Sequence, residues 1–235
     1  FNSISSEALP GATETRTLVS AAADFDNDGD LDIVIGDNSS SSEPNRIILN
    51  NGTSSPFSPL VEQNLDTNIN FTTGIATGDL DNDGDIDVVA GNGYATSLVY
   101  LNDGSGTLFD SSSAQALGTS TSTTDVEIAD FNSDGYLDII AVSFSGDKNN
   151  IYYNNQTSSP FLGVTASPLT TATYNTVSLA VGDVDNDGDI DVFTGNTDTS
   201  NYVYLNNNNG TFTERLLSSA QATPEADTKI GRAHV

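Results

Sequence analysis

Along the chain, apolar runs of four to eight residues alternate with clusters of Gly, Asn, Asp, Ser and Pro, and no stretch sustains a helical period. The runs LDIVI, IDVVA, LDIIA and IDVFT each follow an acidic loop. A second set ends in paired polar residues: RIILNN from Arg46, LVYLND from Leu98, NIYYNN from Asn150 and YVYLNN from Tyr202. An aromatic then stands in a short strand-like stretch, at Phe57, Phe109, Phe161 and Phe212. These runs are β-branched and aromatic, so they predict strands. One strand precedes each acidic loop, one follows it, the Ile/Val/Tyr run forms a third, and a fourth begins near the Phe.

The pattern is a repeat. The first aspartates of the four acidic loops are Asp24, Asp79, Asp130 and Asp183, at spacings of 55, 51 and 53 residues. Four short strands in each period of this length are the mark of a propeller blade, in which each sheet buries its faces against its neighbours. A β-helix or RTX-type roll uses a much shorter period and a G-G-x-G-x-D pattern, which this chain lacks. The fold class expected is therefore all-β, a β-propeller of four-stranded antiparallel blades spanning residues 1–226.

Charge changes the picture next. The 33 acidic residues outweigh 6 Lys+Arg, for a formal net charge of -27. This balance excludes nucleic acid and anionic membranes as partners, because phosphate contacts need clustered Lys and Arg. It also opposes compaction unless cations bind. Many of the acids sit in four dense clusters, which points to a metal. No apolar run approaches the roughly 18 residues of a membrane helix, so no membrane insertion is expected in this segment. Cysteine is absent, which removes disulfides, thiolate metal sites and Cys nucleophiles.

The run D-x-D-x-D-G-x-x-D between two apolar strands, followed by Y-L-N-N and G-T-F, resembles the FG-GAP/VCBS repeat family, which includes the integrin α-chain propeller. The resemblance covers nearly the whole chain and recurs four times in register. It implies a propeller, usually of about seven blades, with calcium in the hairpin loop between the first two strands of a blade. This chain holds only four such loops and reads as a fragment of a larger ring.

Calcium takes six to eight oxygens at about 2.3–2.6 Å. In the first loop (24–32), Asp24, Asp26 and Asp28 supply alternate carboxylates, and Gly29 permits the sharp turn. Asp30 offers its backbone carbonyl, and Asp32 returns a carboxylate, read as bidentate, where the next strand starts. The second loop (79–87) repeats this with Asp79, Asp81, Asp83, Asp85 and Asp87. The fourth (183–191) repeats it with Asp183, Asp185, Asp187, Asp189 and Asp191. The third (130–138) has Asp130, Asn132, Asp134, Tyr136 and Asp138. Asn132 removes a charge, so this site is expected to be the weakest, while Tyr136 takes the backbone-carbonyl position. An EF-hand needs a Glu at position twelve, where these repeats have Ile35, Ala90, Ala141 and Thr194. The same residue types also suit plain hairpin turns, but carboxylates crowded within a few ångströms repel one another without a cation. Four calcium ions would bring the net charge from -27 to about -19.

The ends of the chain read differently from its middle. The phenylalanine of FNSISSEALP, residues 1–10, stands about as far before the first loop as Phe57 and Phe109 stand before theirs, which marks a last strand of a preceding blade. KIGRAHV, Lys229–Val235, matches nothing in the repeats, and back-translation yields a common sequencing-adapter sequence; it reads as adapter read-through. That tail carries His234, the only histidine.

The function expected is a calcium-binding extracellular or cell-surface module for adhesion, or for binding a carbohydrate or protein ligand, and not an enzyme. The segments Asp37–Asn45, Asn92–Ser97, Ser143–Asn149 and Asn196–Asn201 join strands two and three and are candidate ligand loops. Two alternatives stand beside it. A propeller-type polysaccharide-active enzyme would need a positioned acid–base group, and with His234 set aside only carboxylates, tyrosines and four basic residues are on offer. A structural spacer would need no ligand at all.

Overall fold

Among the described residues, sixteen strands account for the regular structure, and there is no helix. The computed structural model describes residues 17–37, 44–65, 67, 70–105, 108–109, 114–119 and 122–217. The expected strand at residues 1–10 and the KIGRAHV segment both lie outside them.

The strands form four separate four-stranded antiparallel sheets, each taken in chain order. The first blade holds β1 (Thr17–Ala23), β2 (Asp32–Asp37), β3 (Arg46–Leu49) and β4 (Val61–Asn64). The second holds β5 (Thr72–Gly78), β6 (Asp87–Asn92), β7 (Ser97–Tyr100) and β8 (Gln115–Leu117). The third holds β9 (Thr123–Ala129), β10 (Asp138–Ser143), β11 (Asn150–Tyr152) and β12 (Ser167–Pro168). The fourth holds β13 (Thr176–Gly182), β14 (Asp191–Asn196), β15 (Tyr202–Asn206) and β16 (Phe212–Leu216). This is the propeller-blade arrangement expected from the repeats.

The first strands of adjacent blades pack side by side, β1 on β5, β5 on β9 and β9 on β13. Gly74 allows the second approach, because a Cβ there would stand 2.8 Å from the Val126 backbone nitrogen. Thr73 and Thr124 then donate across the blade boundaries to the carbonyls of Thr123 and Thr176, each at 2.7 Å.

Alternation along each strand sends successive side chains to opposite faces, and the core accordingly lies between blades. Val34 and Ile47 of the first blade meet Ile75, Val88 and Tyr100 of the second. Val89 and Val99, on the other face of the second blade, meet Val126, Ile139 and Tyr152 of the third. Ile140, Val142 and Ile151 then meet Leu179, Val192 and Tyr204 of the fourth. Central strands β6 and β10 are buried along their whole length, so a blade in the middle of the array has no solvent face at its centre.

One expectation is corrected. In the first three blades the fourth strand does not begin at the phenylalanine: β4, β8 and β12 start at Val61, Gln115 and Ser167. Phe57 and Phe161 lie in turns, and Phe109 makes an isolated bridge with Asn102. Only Phe212 opens its strand. Packing explains the difference, since Phe109 and Phe161 are buried plugs of the inter-blade cores. The Phe109 ring meets Phe25 edge-on at 6.1 Å, as Phe212 meets Phe131 at 6.4 Å.

Candidate metal centres

Each acidic loop bridges the first and second strands of its blade. Its first Asp directly follows β1, β5, β9 or β13, and its last opens β2, β6, β10 or β14. Two left-handed residues fold the loop back on itself. Position four is Asn27, Asn82, Ser133 or Asn186 at φ 58–61°, and position six is Gly29, Gly84, Gly135 or Gly188 at φ 88–98°.

The turn aims backbone N–H groups at the first aspartate. Asp24 accepts from Asp28 at 3.1 Å and Gly29 at 2.9 Å. Asp79, Asp130 and Asp183 accept from the corresponding pairs at 2.8–3.2 Å. The ninth-position aspartate is fully buried in all four blades, and each of its oxygens takes one backbone N–H. Asp32 accepts from Phe25 at 2.9 Å and Asn50 at 2.8 Å. Asp87 accepts from Leu80 at 2.7 Å and Asn102 at 2.8 Å. Asp138 accepts from Phe131 and Asn154, and Asp191 from Val184 and Asn206, in the same way. An ionised carboxylate oxygen has two lone pairs, so every one of these oxygens keeps one for a cation.

The chain therefore brings positions one, three and nine together. Ligand atoms of Asp24, Asp26 and Asp32 lie within 4.8 Å of one another, as do those of Asp79, Asp81 and Asp87, and those of Asp183, Asp185 and Asp191. Oxygens sharing one calcium ion lie at most about 5.2 Å apart, so the spacing fits. Asp81 Oδ1 is moreover buried with no hydrogen-bond partner, which is costly unless a cation or water meets it. Position five stands outside these groups. Asp28, Asp83, Asp134 and Asp187 each turn one oxygen to the N–H two residues on, at 2.9–3.0 Å.

At position seven, the side chains of Asp30 and Asp85 rest against Gly52 and Gly104, and Asp85 also accepts from Asn27 of the preceding blade. In the third loop, Asn132 folds onto Asp134, donating through Nδ2 at 3.0 Å and accepting from its N–H at 3.1 Å. Gln156 adds a second amide to Asp134 at 3.0 Å.

Burial and crowding raise the proton affinity of this cluster. Burial, offset in part by the two backbone donors, pushes Asp87 up to about 8 and Asp138 to about 7. Burial first, then the charges of Asp83 and Asp79, pushes Asp81 up to about 6. Asp26, Asp32 and Asp185 are raised by burial as well. A site that draws in protons to relieve trapped negative charge is one that a divalent cation relieves further.

Two sets of residues escaped the sequence reading. The apolar residue at position two, Phe25, Leu80 or Phe131, is buried in the next blade's core. The asparagine at the end of strand three or within two residues after it, Asn50, Asn102, Asn154 or Asn206, closes the loop on Asp at position nine. Its signal was its repetition in the paired polar residues; only its partner was missing.

The described residues of the strand two-to-three segments lie at the other end of the blades, and the last residue of each is structural. Asn45, Asn149 and Asn201 accept through Oδ1, and Ser97 through Oγ, the N–H that ends the second strand, at 2.9–3.1 Å. Asn45, Ser97 and Asn149 also meet the first-strand threonine of the next blade, Thr72, Thr123 or Thr176. Exposed aromatic surface remains at Tyr94, 80 % exposed and 5.1 Å from the Phe71 ring, and at Phe144.

A family model described as an FG-GAP-like repeat matches residues 24–90, 79–141, 130–194 and 183–228. Each match begins at the first aspartate of a loop, and the first three run on through the next loop. No curated protein matches the chain.

Proposed function

The chain belongs to the FG-GAP-like repeat family, and from that membership we propose that it is a calcium-binding β-propeller module of a secreted or cell-surface protein, serving adhesion or ligand binding and not catalysis. The observation that carries this reading is the convergence of three carboxylates within 4.8 Å, repeated in three loops, with a buried oxygen of Asp81 left without a partner in one of them. Asp130, Asn132 and Asp138 would hold the ion in the third loop with one charge fewer.

Calcium fits better than magnesium, because the site is lined by protein oxygens, whereas magnesium keeps several waters in a strict octahedron. Extracellular modules of this type bind calcium at about 10⁻⁴–10⁻³ M, so the ion acts as constitutive structural glue outside cells. No helix among the described residues is long and apolar enough to cross a membrane. For a ligand, the segments opposite the acidic loops offer Tyr94 and Phe144 beside Asn and Ser side chains, a surface suited to carbohydrate hydroxyls or to a protein partner.

Thermal unfolding in millimolar calcium and after its removal tests the metal reading. Binding to the folded state alone raises stability by mass action, about 2.7 kcal/mol at a hundredfold excess over the dissociation constant. A melting temperature that rises by several degrees with calcium supports it; a folded chain indifferent to calcium reduces the acidic loops to turns. Glycan arrays and partner pull-downs, run in calcium, then separate a ligand-binding module from a spacer.

A further inference from the structure

In the second, third and fourth blades, the asparagine at or just past the end of the third strand reaches beyond its own blade. Asn102 donates its backbone N–H to Asp87 at 2.8 Å and its side-chain amide to the carbonyl of Phe25, in the preceding blade's acidic loop, also at 2.8 Å. Asn154 spans Asp138 and the carbonyl of Leu80 at 2.8 and 2.7 Å. Asn206 spans Asp191 and the carbonyl of Phe131, both at 2.8 Å. Each accepting carbonyl belongs to the residue whose own N–H donates to its blade's buried aspartate: Phe25 to Asp32, Leu80 to Asp87 and Phe131 to Asp138.

The links join end to end. From Asp32 the hydrogen bonds run through Phe25, Asn102, Asp87, Leu80, Asn154, Asp138, Phe131 and Asn206 to Asp191, crossing three blade boundaries. All of these residues are buried, so an amide or carbonyl left unpaired by a broken link there is costly. The side chains of Phe25, Leu80 and Phe131 reinforce the path by filling the next blade's core. A loop that closes around an ion fixes its position-two residue, and that residue fixes the asparagine that shapes the next loop.

We propose that Asn102, Asn154 and Asn206 are positioning residues that couple metal occupancy between adjacent loops, so that the four repeats load and stabilise as one cooperative unit. The inference rests on the metal-binding reading above. It concerns how the sites communicate and adds no ligand to them.

Tyr136 gives a local probe, because no other acidic loop contains a tyrosine. Terbium luminescence excited through tyrosine therefore reports mainly on the third loop of the full chain. Asp79→Asn weakens the second loop, across one relay link. The third loop's terbium affinity is expected to fall about fivefold or more, the lower end of ordinary coupling between sites. In an Asn154→Leu background, which removes the amide and keeps the volume, Asp79→Asn should leave that affinity unchanged. An affinity unmoved by Asp79→Asn in the otherwise unaltered chain overturns the coupling and leaves the metal reading standing; that comparison alone decides should Asn154→Leu not fold. An equal loss in both backgrounds overturns the role of the asparagine. No sensitised terbium signal, together with calcium-indifferent unfolding, removes the metal reading and the coupling with it.

Discussion

Gly84 sits at φ 98°, and its counterparts Gly29, Gly135 and Gly188 at 88–94°. A side chain there is opposed by its own backbone, whatever space surrounds it. Gly84→Ala is expected to destabilise the chain by about 1–2 kcal/mol, and to shrink the stabilisation by calcium, because the donors aimed at Asp79 move with the turn. Urea unfolding with and without calcium measures both effects. Position four tolerates more: its φ of 58–61° is the left-handed well that Asn visits readily, and Ser133 alone departs from Asn there. The glycine turn was legible from the sequence because a positive φ is imposed by three or four neighbouring residues; the left-handed residue at position four came from the structure. The role of Asp at position five was not legible. Its carboxylate chooses between an ion and the N–H two residues on, and the spacing D-x-D-x-D suits both.

At the scale of the loop, the buried aspartates set the pH dependence. Asp87 and Asp138 are raised from an ordinary value of 3.8 to about 8 and about 7. A folded value above the unfolded one means that folding favours the protonated form. The stability these groups contribute is full below pH 3.8 and is lost as the pH rises through 7 and 8. Stripped of metal, the chain should therefore melt at a lower temperature at pH 8 than at pH 5. Calcium needs the ionised carboxylates, so its stabilising effect should grow across the same window. Melting curves at both pH values, with calcium and after passage over a chelating resin, check the sign; a metal-free chain more stable at pH 8 would show that other groups control the transition. The loop's place between two strands was readable from the apolar runs that flank it. The start of the fourth strand was not, because Phe109 and Phe161 look like strand residues in sequence and serve as plugs between blades.

For the whole molecule, stability resides in inter-blade cores, three of them among the described residues, so each blade depends on its neighbours. Phe131 is buried in the core between the third and fourth blades and packs edge-on against Phe212. Phe131→Ala should cost about 3–5 kcal/mol, in calcium and without it, since the cavity remains either way. That pattern separates it from Gly84→Ala, whose effect includes a calcium-dependent part, and denaturant unfolding under the two conditions distinguishes them. If Phe131→Ala costs under 1 kcal/mol, the fourth blade does not lean on the third as described.

The sequence by itself determined the repeat, the strand content, the turn of each acidic loop and the carboxylates that line it. The repeat shows in spacings of 51–55 residues; the rest follow from spacings of two to nine residues, where backbone geometry acts directly. Tertiary structure decided which partners lie across a blade boundary. Asn102 and Phe25 are separated by 77 residues, Asn154 and Leu80 by 74, and Asn206 and Phe131 by 75. Nothing local brings them together. Their meeting depends on the angle at which one sheet packs on the next, and that angle is set by the fit of some thirty buried side chains acting together.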